Sequence, residues 1–137
     1  MKKQTFAFIC LVVLAVLFTA CAKKAASPTD VMNGALKAIL AGNVDKAWEA
    51  ISEASRANFK SKDQFRDTMG AGLLLEDTRK KIESIKIIGE KIEGSKGTLT
   101  IEYLGVKGQP QVKEMECVLE GNQWKIDIQP LIHSIME

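Results

Sequence analysis

Few side chains in this chain of 137 residues could transfer a proton at neutral pH. The single histidine, His133, lies near the C-terminal end, where the pattern predicts a solvated tail rather than a catalytic base. The single tyrosine, Tyr103, falls on the apolar side of a predicted strand, where its hydroxyl could donate inside a cavity or reach the surface from a packed core, and we favour the core. Asp127 lies between Ile126 and Ile128, which predicts the polar face of a strand. We therefore expect no catalytic site.

Other common site chemistries are also missing from the sequence. One histidine and one unpaired thiol, Cys117, cannot supply a zinc site, and Cys117 is predicted to be a small buried side chain rather than a nucleophile. The sequence has no glycine-rich phosphate loop and no Gly-x-Ser-x-Gly motif. We expect no cofactor and no metal.

The composition excludes several classes of protein. The net charge is +2 and falls to near zero without Lys2 and Lys3, whereas a nucleic-acid partner requires a net or clustered positive charge. A chain that is 46% hydrophobic and 26% charged is neither disordered nor a small disulfide scaffold. The length suits a single domain.

Cys21 follows a short basic and apolar N-terminal segment. Lys2 and Lys3 precede an uninterrupted apolar stretch, residues 6–18, which suits a secretory signal and is shorter than the roughly 20 residues of a membrane span. The stretch ends in Leu-Phe-Thr-Ala-Cys, which resembles the lipobox of bacterial lipoproteins. That resemblance implies cleavage before Cys21 and attachment of fatty acyl chains, such as palmitate, to this residue.

The resemblance divides the chain into a signal peptide over 1–20, a lipidated tether over 21–27 and a domain over 28–137. Ala22 after the cysteine implies sorting to the outer membrane, facing the periplasm, if the cell is Gram-negative. Two or more acyl chains would give stable anchoring, since each buried methylene contributes about 0.8 kcal/mol. The alternative is an ordinary cleaved signal with a coincidental cysteine.

The first part of the domain has helical patterns. Residues 27–30, Ser-Pro-Thr-Asp, predict a helix start with a capping serine and a proline at the first position. An apolar stripe from Met32 to Leu40 continues that helix. A second helix is predicted from Asn43 to Ile51.

A third helix is predicted after a connector over residues 55–60. Ser61 with Gln64 three residues later forms a capping box at its start. Gly70 and Gly72 weaken the helix, each by roughly 1 kcal/mol relative to alanine, and predict a bend or an early end. The basic run at 79–81 is predicted to be the solvated end of this helix, with a membrane or partner contact as the alternative.

From Ile82 the apolar pattern changes to a period of two residues. The predicted strands are 82–93 with a bulge at Gly89, 99–103, 115–119 and 124–128. Short connections between them predict an antiparallel meander with one face against the helices. The predicted fold class is α+β, with N-terminal helices packed on a curved antiparallel meander sheet.

Two segments resemble a known family. Residues 41–48, Ala-Gly-Asn-Val-Asp-Lys-Ala-Trp, and 121–127, Gly-Asn-Gln-Trp-Lys-Ile-Asp, are similar to motifs of small bacterial lipoproteins of unknown function with a nuclear transport factor 2-like (NTF2-like), or cystatin-like, domain. Asn43 stands where that family most often has an aspartate. The resemblance covers residues 28–128 and implies a cone formed by a curved sheet around helices. This fold hosts enzymes, binding proteins and scaffolds, so it assigns no function.

Four aromatic residues are candidates for binding an apolar ligand: Trp48, Phe65, Tyr103 and Trp124. The same residues are also the ones that would build the only core of a domain this size, which is the interpretation we favour. The run Leu73–Leu75 could cross the mouth of either a core or a cavity.

These observations lead to three functional hypotheses. The leading one is a non-enzymatic lipoprotein, held at the bacterial cell envelope through lipid on Cys21, that acts through contacts with an envelope protein or a ligand. The second is a carrier of a small hydrophobic ligand in the concavity of the sheet. The third is an isomerase-like enzyme that uses Tyr103 with a carboxylate. Homodimers that pair through the sheet face occur in similar folds.

Overall fold

A computed structural model describes residues 25–136, and the predicted signal peptide and Cys21 lie outside these residues. Helices come first, strands follow, and one helix ends the described chain. The helices are α1 (Pro28–Leu40), α2 (Val44–Ala50), α3 (Glu53–Arg56), α4 (Lys62–Leu73), α5 (Glu76–Ser84) and α6 (Gln129–Met136). The strands are β1 (Lys86–Glu93), β2 (Lys96–Leu104), β3 (Pro110–Glu120) and β4 (Gln123–Ile126). Among the described residues, no helix has the length and apolar character needed to cross a bilayer.

The start of α1 is fixed by side-chain bonds, as predicted. The Ser27 hydroxyl accepts from the Asp30 N–H at 3.1 Å, and the Asp30 carboxylate accepts from the Ser27 N–H at 3.0 Å. Pro28 takes the first helical position, where its missing N–H leaves no bond unmade. The carboxylate of Glu90 in β1 also accepts from the N–H and the hydroxyl of Thr29, at 2.8 and 2.6 Å. These bonds attach the N-terminus of α1 to β1 and place the Glu90 carboxylate beside the partial positive charge of that helix end.

The predicted third helix corresponds to α4. The Ser61 hydroxyl accepts from the Gln64 N–H at 3.1 Å, which confirms the capping serine. The Gln64 side chain accepts from the Lys60 N–H at 2.6 Å rather than from the Ser61 N–H, so the second bond of the predicted capping box goes to the preceding residue. The helix ends at Leu73, immediately after the two glycines that were predicted to weaken it.

Two helices differ from the predictions. Residues 53–56 form the short helix α3 where a connector over 55–60 was predicted, because the Ser52 hydroxyl caps a turn there and accepts from the Ser55 N–H at 3.2 Å. The run 79–81 lies inside a separate helix, α5, and is not the end of the third helix.

Pairs of side chains one turn apart stabilise α5. Lys80 pairs with Glu76 at 2.6 Å and Arg79 pairs with Glu83 at 3.0 Å, both with the i,i+4 spacing that supports a helix. Ile82 is buried on the inner face of this helix. The prediction of a strand from Ile82 was therefore wrong at its start, and the strand begins after the helix.

The four strands form one open antiparallel sheet in the order β1-β2-β3-β4, which confirms the predicted meander. The register of β1 against β2 shifts at Ile88, next to the predicted bulge at Gly89. On the side facing the helices, the buried residues alternate along the strands, as the period of two predicted. They include Leu99, Ile101 and Tyr103 of β2 and Met115 and Cys117 of β3.

Residues 129–136 form α6, where a tail was predicted. Leu131 and Ile135, one turn apart, are buried against the rest of the domain. The Lys81 ammonium donates to the Ile135 carbonyl at 3.2 Å, and the Lys113 ammonium donates to the Pro130 carbonyl at 3.0 Å. Leu131 and Ile135 have the spacing of a helix. This spacing was not predicted from the sequence, because the alternation of the preceding strand dominated the pattern at this end of the chain.

The chain after α2 closes one edge of the sheet. Ile51 forms a parallel bridge with Ile126, and the Ser52 N–H donates to the Ile126 carbonyl at 2.9 Å. These contacts attach the helical half of the chain to β4.

Ser55 makes the adjoining polar link. Its side chain is fully buried, its hydroxyl donates to the Asp127 carboxylate at 2.6 Å, and it accepts from the Ile128 N–H at 3.0 Å. Asp127 was predicted on the polar face of a strand, but β4 ends at Ile126 and Asp127 is half-buried, with its carboxylate bonded to Ser55.

Replacement of this hydroxyl tests the link. We expect Ser55→Ala to lower the free energy of unfolding by about 1–3 kcal/mol, because it leaves the Ile128 N–H and the Asp127 carboxylate without their buried partner. Ser95→Ala, at an exposed turn, is the matched control and should change stability by less than about 0.5 kcal/mol. Urea denaturation followed by circular dichroism measures both. Equal stability of the two variants would contradict a structural role for Ser55.

Candidate functional site

A cleft of about 820 Å³ lies between α1, α2 and the hairpin that joins β3 to β4. Its lining is Ala25, Ala26, Asp30, Val31, Gly34, Ala35, Lys46, Glu49, Ala50, Asn122, Gln123, Trp124 and Lys125. We call it the α1–α2 cleft. Its volume falls within the roughly 300–1,000 Å³ typical of sites for small ligands.

The cleft owes its space to small residues. Gly34 and Ala35 of α1 and Ala50 of α2 all line it, and these small residues leave space that larger side chains would occupy. Among the described residues, no atom outside the adjoining backbone of α1 lies within 4 Å of the position that a Cβ atom on Gly34 would occupy. Trp124 forms part of the wall, although only 9% of it is exposed and most of its indole is buried in the core.

Charges of both signs surround this space. Asp30 and Glu49 contribute carboxylates, and Lys46 and Lys125 contribute ammonium groups. The Lys125 ammonium donates to the Glu49 carbonyl and to the Gln123 side chain, which fixes it at the rim. A lining of small apolar residues and part of Trp124, with opposite charges around it, suits an occupant that has both apolar and polar groups.

Salt bridges to α4 hold α2 in place beside the cleft. Asp45 of α2 pairs with Arg66 at 2.7 Å and with Lys62 at 3.2 Å. The hydrogen bond from Arg66, followed by that from Lys62, holds the pKa of Asp45 below its usual value. These groups are exposed, so the pairs position α2 more than they stabilise the fold.

A second pocket lies under α6 and is entirely apolar. Leu36 and Ile39 of α1, Ile82 of α5 and Leu131 and Ile135 of α6 are among its lining residues. It holds only about 40 Å³, well below the roughly 300 Å³ at which sites for small ligands begin. In this conformation it therefore does not accommodate the hydrophobic ligand of the carrier hypothesis.

The four aromatic candidates do not share one pocket. Trp48 and Phe65 pack with Phe59 in a cluster whose ring centroids are 5.1–6.2 Å apart. Tyr103 is buried elsewhere in the core, and Trp124 is the one of the four that lines the α1–α2 cleft. Phe59, which no predicted set included, belongs to the cluster because α3 and the cap of α4 turn it inwards.

The candidates for proton transfer are also separated. The Tyr103 hydroxyl donates to the Gln111 side chain at 3.1 Å rather than to a carboxylate. His133 is exposed on α6, and Asp127 bonds to Ser55. Within residues 25–136, no group of three or more histidine, cysteine or acidic side chains is placed to hold a metal ion.

The basic run 79–81 is engaged in local contacts. Arg79 and Lys80 pair within α5, and Lys81 bonds to α6. Leu74 and Leu75, from the apolar run next to it, are 87% and 60% exposed and lie at the turn between α4 and α5. They do not lie across the mouth of the α1–α2 cleft.

A profile for a domain of unknown function, DUF4878, matches residues 19–127. The chain belongs to this family. All residues that line the α1–α2 cleft, and also Cys21, fall within the matched DUF4878 region, whereas α6 follows it.

Solved structures show that this DUF4878 member has an NTF2-like fold. An NTF2-like protein from Campylobacter jejuni, provisionally assigned as a transpeptidase, is 14% identical over 73% of this chain and 96% of its own, with a TM-score of 0.50. A protein with a SEC-C motif from Rhodopseudomonas palustris is 20% identical over 79% of this chain and 80% of its own, with a TM-score of 0.55. At these identities the similarity establishes the fold alone. A search of curated proteins found no match.

Cys117 is the buried thiol of the DUF4878 domain. Burial raises its pKa from 9.0 to about 11, and the nearby charge of Glu90 adds to the shift. The raised pKa and the burial agree with the predicted role as a small core residue.

The shift predicts a specific dependence of stability on pH. Above pH 9.0 the thiol ionises in the unfolded chain but stays protonated in the folded domain until about pH 11, so the unfolded state is favoured as pH rises through this window. We expect the free energy of unfolding to fall more steeply with pH in the wild type than in Cys117→Ala, as measured by urea denaturation at several pH values. Parallel pH profiles would contradict the assigned pKa.

Proposed function

We propose that this DUF4878 protein is a non-enzymatic lipoprotein of the bacterial cell envelope, with lipid on Cys21, and that its NTF2-like domain binds an envelope partner in the α1–α2 cleft. The anchor is supported by the basic residues, apolar stretch and lipobox-like sequence before Cys21. The cleft itself, with its volume, its small apolar residues and its opposite charges, is the observation that carries the proposed binding role.

The position of the cleft fits this arrangement. Ala25 and Ala26 line it, and four peptide units separate Ala25 from Cys21. Four residues span at most about 14 Å when fully extended. The proposed lipid anchor therefore keeps the start of the cleft close to the membrane surface, where an envelope partner would meet it.

The arrangement of polar groups supports binding over catalysis. General acid–base catalysis needs a base and a donor that reach the same substrate atoms. In this domain the Tyr103 hydroxyl is bonded to Gln111, and the carboxylates of the cleft are not paired with a tyrosine or histidine donor among its lining residues.

The anchor is tested by substitution of the lipobox cysteine. Cys21→Ser should abolish incorporation of an alkyne-labelled fatty acid and release the protein from the membrane fraction, because the acyl chains supply the attachment. Cys10→Ser is the matched control, since Cys10 lies within the proposed signal peptide, and it should leave labelling unchanged. Unchanged membrane partition of Cys21→Ser would refute the anchor.

The cleft is tested with a photoreactive residue, p-benzoylphenylalanine, at Gly34 of the full chain in living cells. Gly70 of α4 is the matched control, because both are helical glycines with no described atom outside the adjoining helix backbone within 4 Å of the position that a Cβ would take, and only Gly34 lines the cleft. Irradiation should yield a discrete adduct from position 34 and none of the same mass from position 70. Identical adducts from both positions, or none from position 34, would argue against the cleft as the binding site.

A further inference from the structure

Among the described residues, backbone pairing from outside the four strands reaches the β4 edge of the sheet at Ile126 but does not reach the outer side of β1. At β4, the backbone of Ile51 and Ser52 pairs with Ile126. At β1, the only described segment whose backbone pairs with the strand is β2. Along its eight residues, the outer side of β1 thus carries backbone N–H and C=O groups to which another strand can add.

The two ends of β1 carry opposite charges on the same side of the sheet. Lys86 and Glu93 lie on the solvent side, each opposite a charged residue of β2. Ile87 and Ile92 lie on the helix side, each opposite a buried residue of β2. Ile92 is nevertheless 47% exposed, since no further strand covers it in the described chain.

This order of residues is complementary to itself in the antiparallel direction. When Lys86 is opposite Glu93 of a second copy, Ile87 is opposite Ile92 of that copy, and the two-fold symmetry repeats both pairs. Each pair then lies on one side of the joined sheet, as antiparallel pairing requires.

Because Ile88 is an extra residue in each copy, the middle pairs are Gly89 with Lys91 on the solvent side and Glu90 with Glu90 on the helix side, where each carboxylate is bonded to Thr29 of its own copy. The like charges of this one Glu90 pair oppose the pairing, but the two Lys86–Glu93 pairs outnumber it. A shift of one residue at the strand ends would place a solvent-side residue opposite a helix-side residue, so the register is specified.

We propose that β1 pairs with β1 of a second copy of this chain, which joins two four-stranded sheets into one antiparallel sheet. Charges and a bulge on an edge strand deter most other strands, but a second copy supplies the complementary charge at each end. Regular pairing involves the strand ends on either side of the bulge at Ile88. The ion pair of Lys91 with Glu93 does not compete strongly, because both side chains are 73% exposed.

The pairing places both α1 N-termini on the same side of the joined sheet. Each is bonded through Thr29 to Glu90 in the middle of β1, and the helix sides of the two copies coincide in this register. Two tethers on one side can reach one membrane. This consequence rests on the proposed lipidation, but the strand pairing does not depend on lipidation.

Disulfide trapping in cells that produce the full chain tests the register. The double variant Ile87→Cys/Ile92→Cys should form a covalent dimer under mild oxidation, because the thiol at position 87 of each copy lies opposite the thiol at position 92 of the other copy. The two positions are too far apart along one strand to form a disulfide within one chain. Each single variant is the control and should yield no more dimer than the wild type. A double variant that yields no more dimer than the single variants would overturn the pairing.

Charge reversal in the same double-cysteine background tests the end pairs. Lys86→Glu or Glu93→Lys alone should lower the dimer yield roughly ten-fold, since like charges then stand opposite each other twice. The combined reversal should restore the yield. Each single reversal also places like charges opposite each other within one copy, at Lys86 with Glu102 or at Glu93 with Lys96. The combined variant keeps both of these unfavourable pairs, so a restored dimer yield cannot come from improved folding. The proposal would be overturned if neither single reversal lowered the dimer yield, or if the combined variant did not restore it.

Discussion

The segment from Ile51 to Ser55 joins the helical half of the chain to the sheet, and the arrangement of the domain depends on it. Ile51 bridges to Ile126, the Ser52 N–H bonds to the same strand, and the buried Ser55 hydroxyl donates to Asp127 and accepts from Ile128. Burial of backbone and hydroxyl groups is favourable only when they are hydrogen-bonded. Because each of these groups has a partner, the chain can pass from helix to strand edge inside the core without leaving a polar atom unsatisfied.

This junction decides both surfaces to which we assign contacts. It sets α2 beside β4, so the small residues of α1 and α2 enclose a cleft against the hairpin that carries Trp124. It also pairs with the β4 edge at Ile126, whereas the outer side of β1 has no backbone partner among the described residues. The outer side of β1 has a charge order that matches a second copy, whereas the cleft has opposite charges around small apolar residues. The two surfaces therefore suit different partners and can act independently.

Membership of the DUF4878 family and the NTF2-like fold do not by themselves assign an activity, because function depends on the groups placed in a site rather than on the fold. In this chain the polar groups that could support catalysis are engaged elsewhere: Tyr103 with Gln111, and Asp127 with Ser55. The cleft near the proposed tether has charged residues of both signs in its lining and no tyrosine or histidine. This distribution is the physical basis for proposing a binding module.

The sequence alone determined the α+β class, the order of helices before strands, the caps of α1 and α4 and the antiparallel meander. These features depend on residues close together in the chain, through capping bonds and through apolar periods of 3.6 or two residues. Its predictions missed α3 and α5, whose serine cap and i,i+4 ion pairs are local signals that the apolar period does not reveal, and α6, which is buried against distant residues. Only the tertiary structure decided that Trp124 lines a cleft with Gly34, that Trp48 and Phe65 share a core cluster with Phe59, and that β1 has an unpaired outer side in the described chain. The physical reason is that each of these outcomes depends on contacts between segments far apart in the chain, which no local pattern encodes.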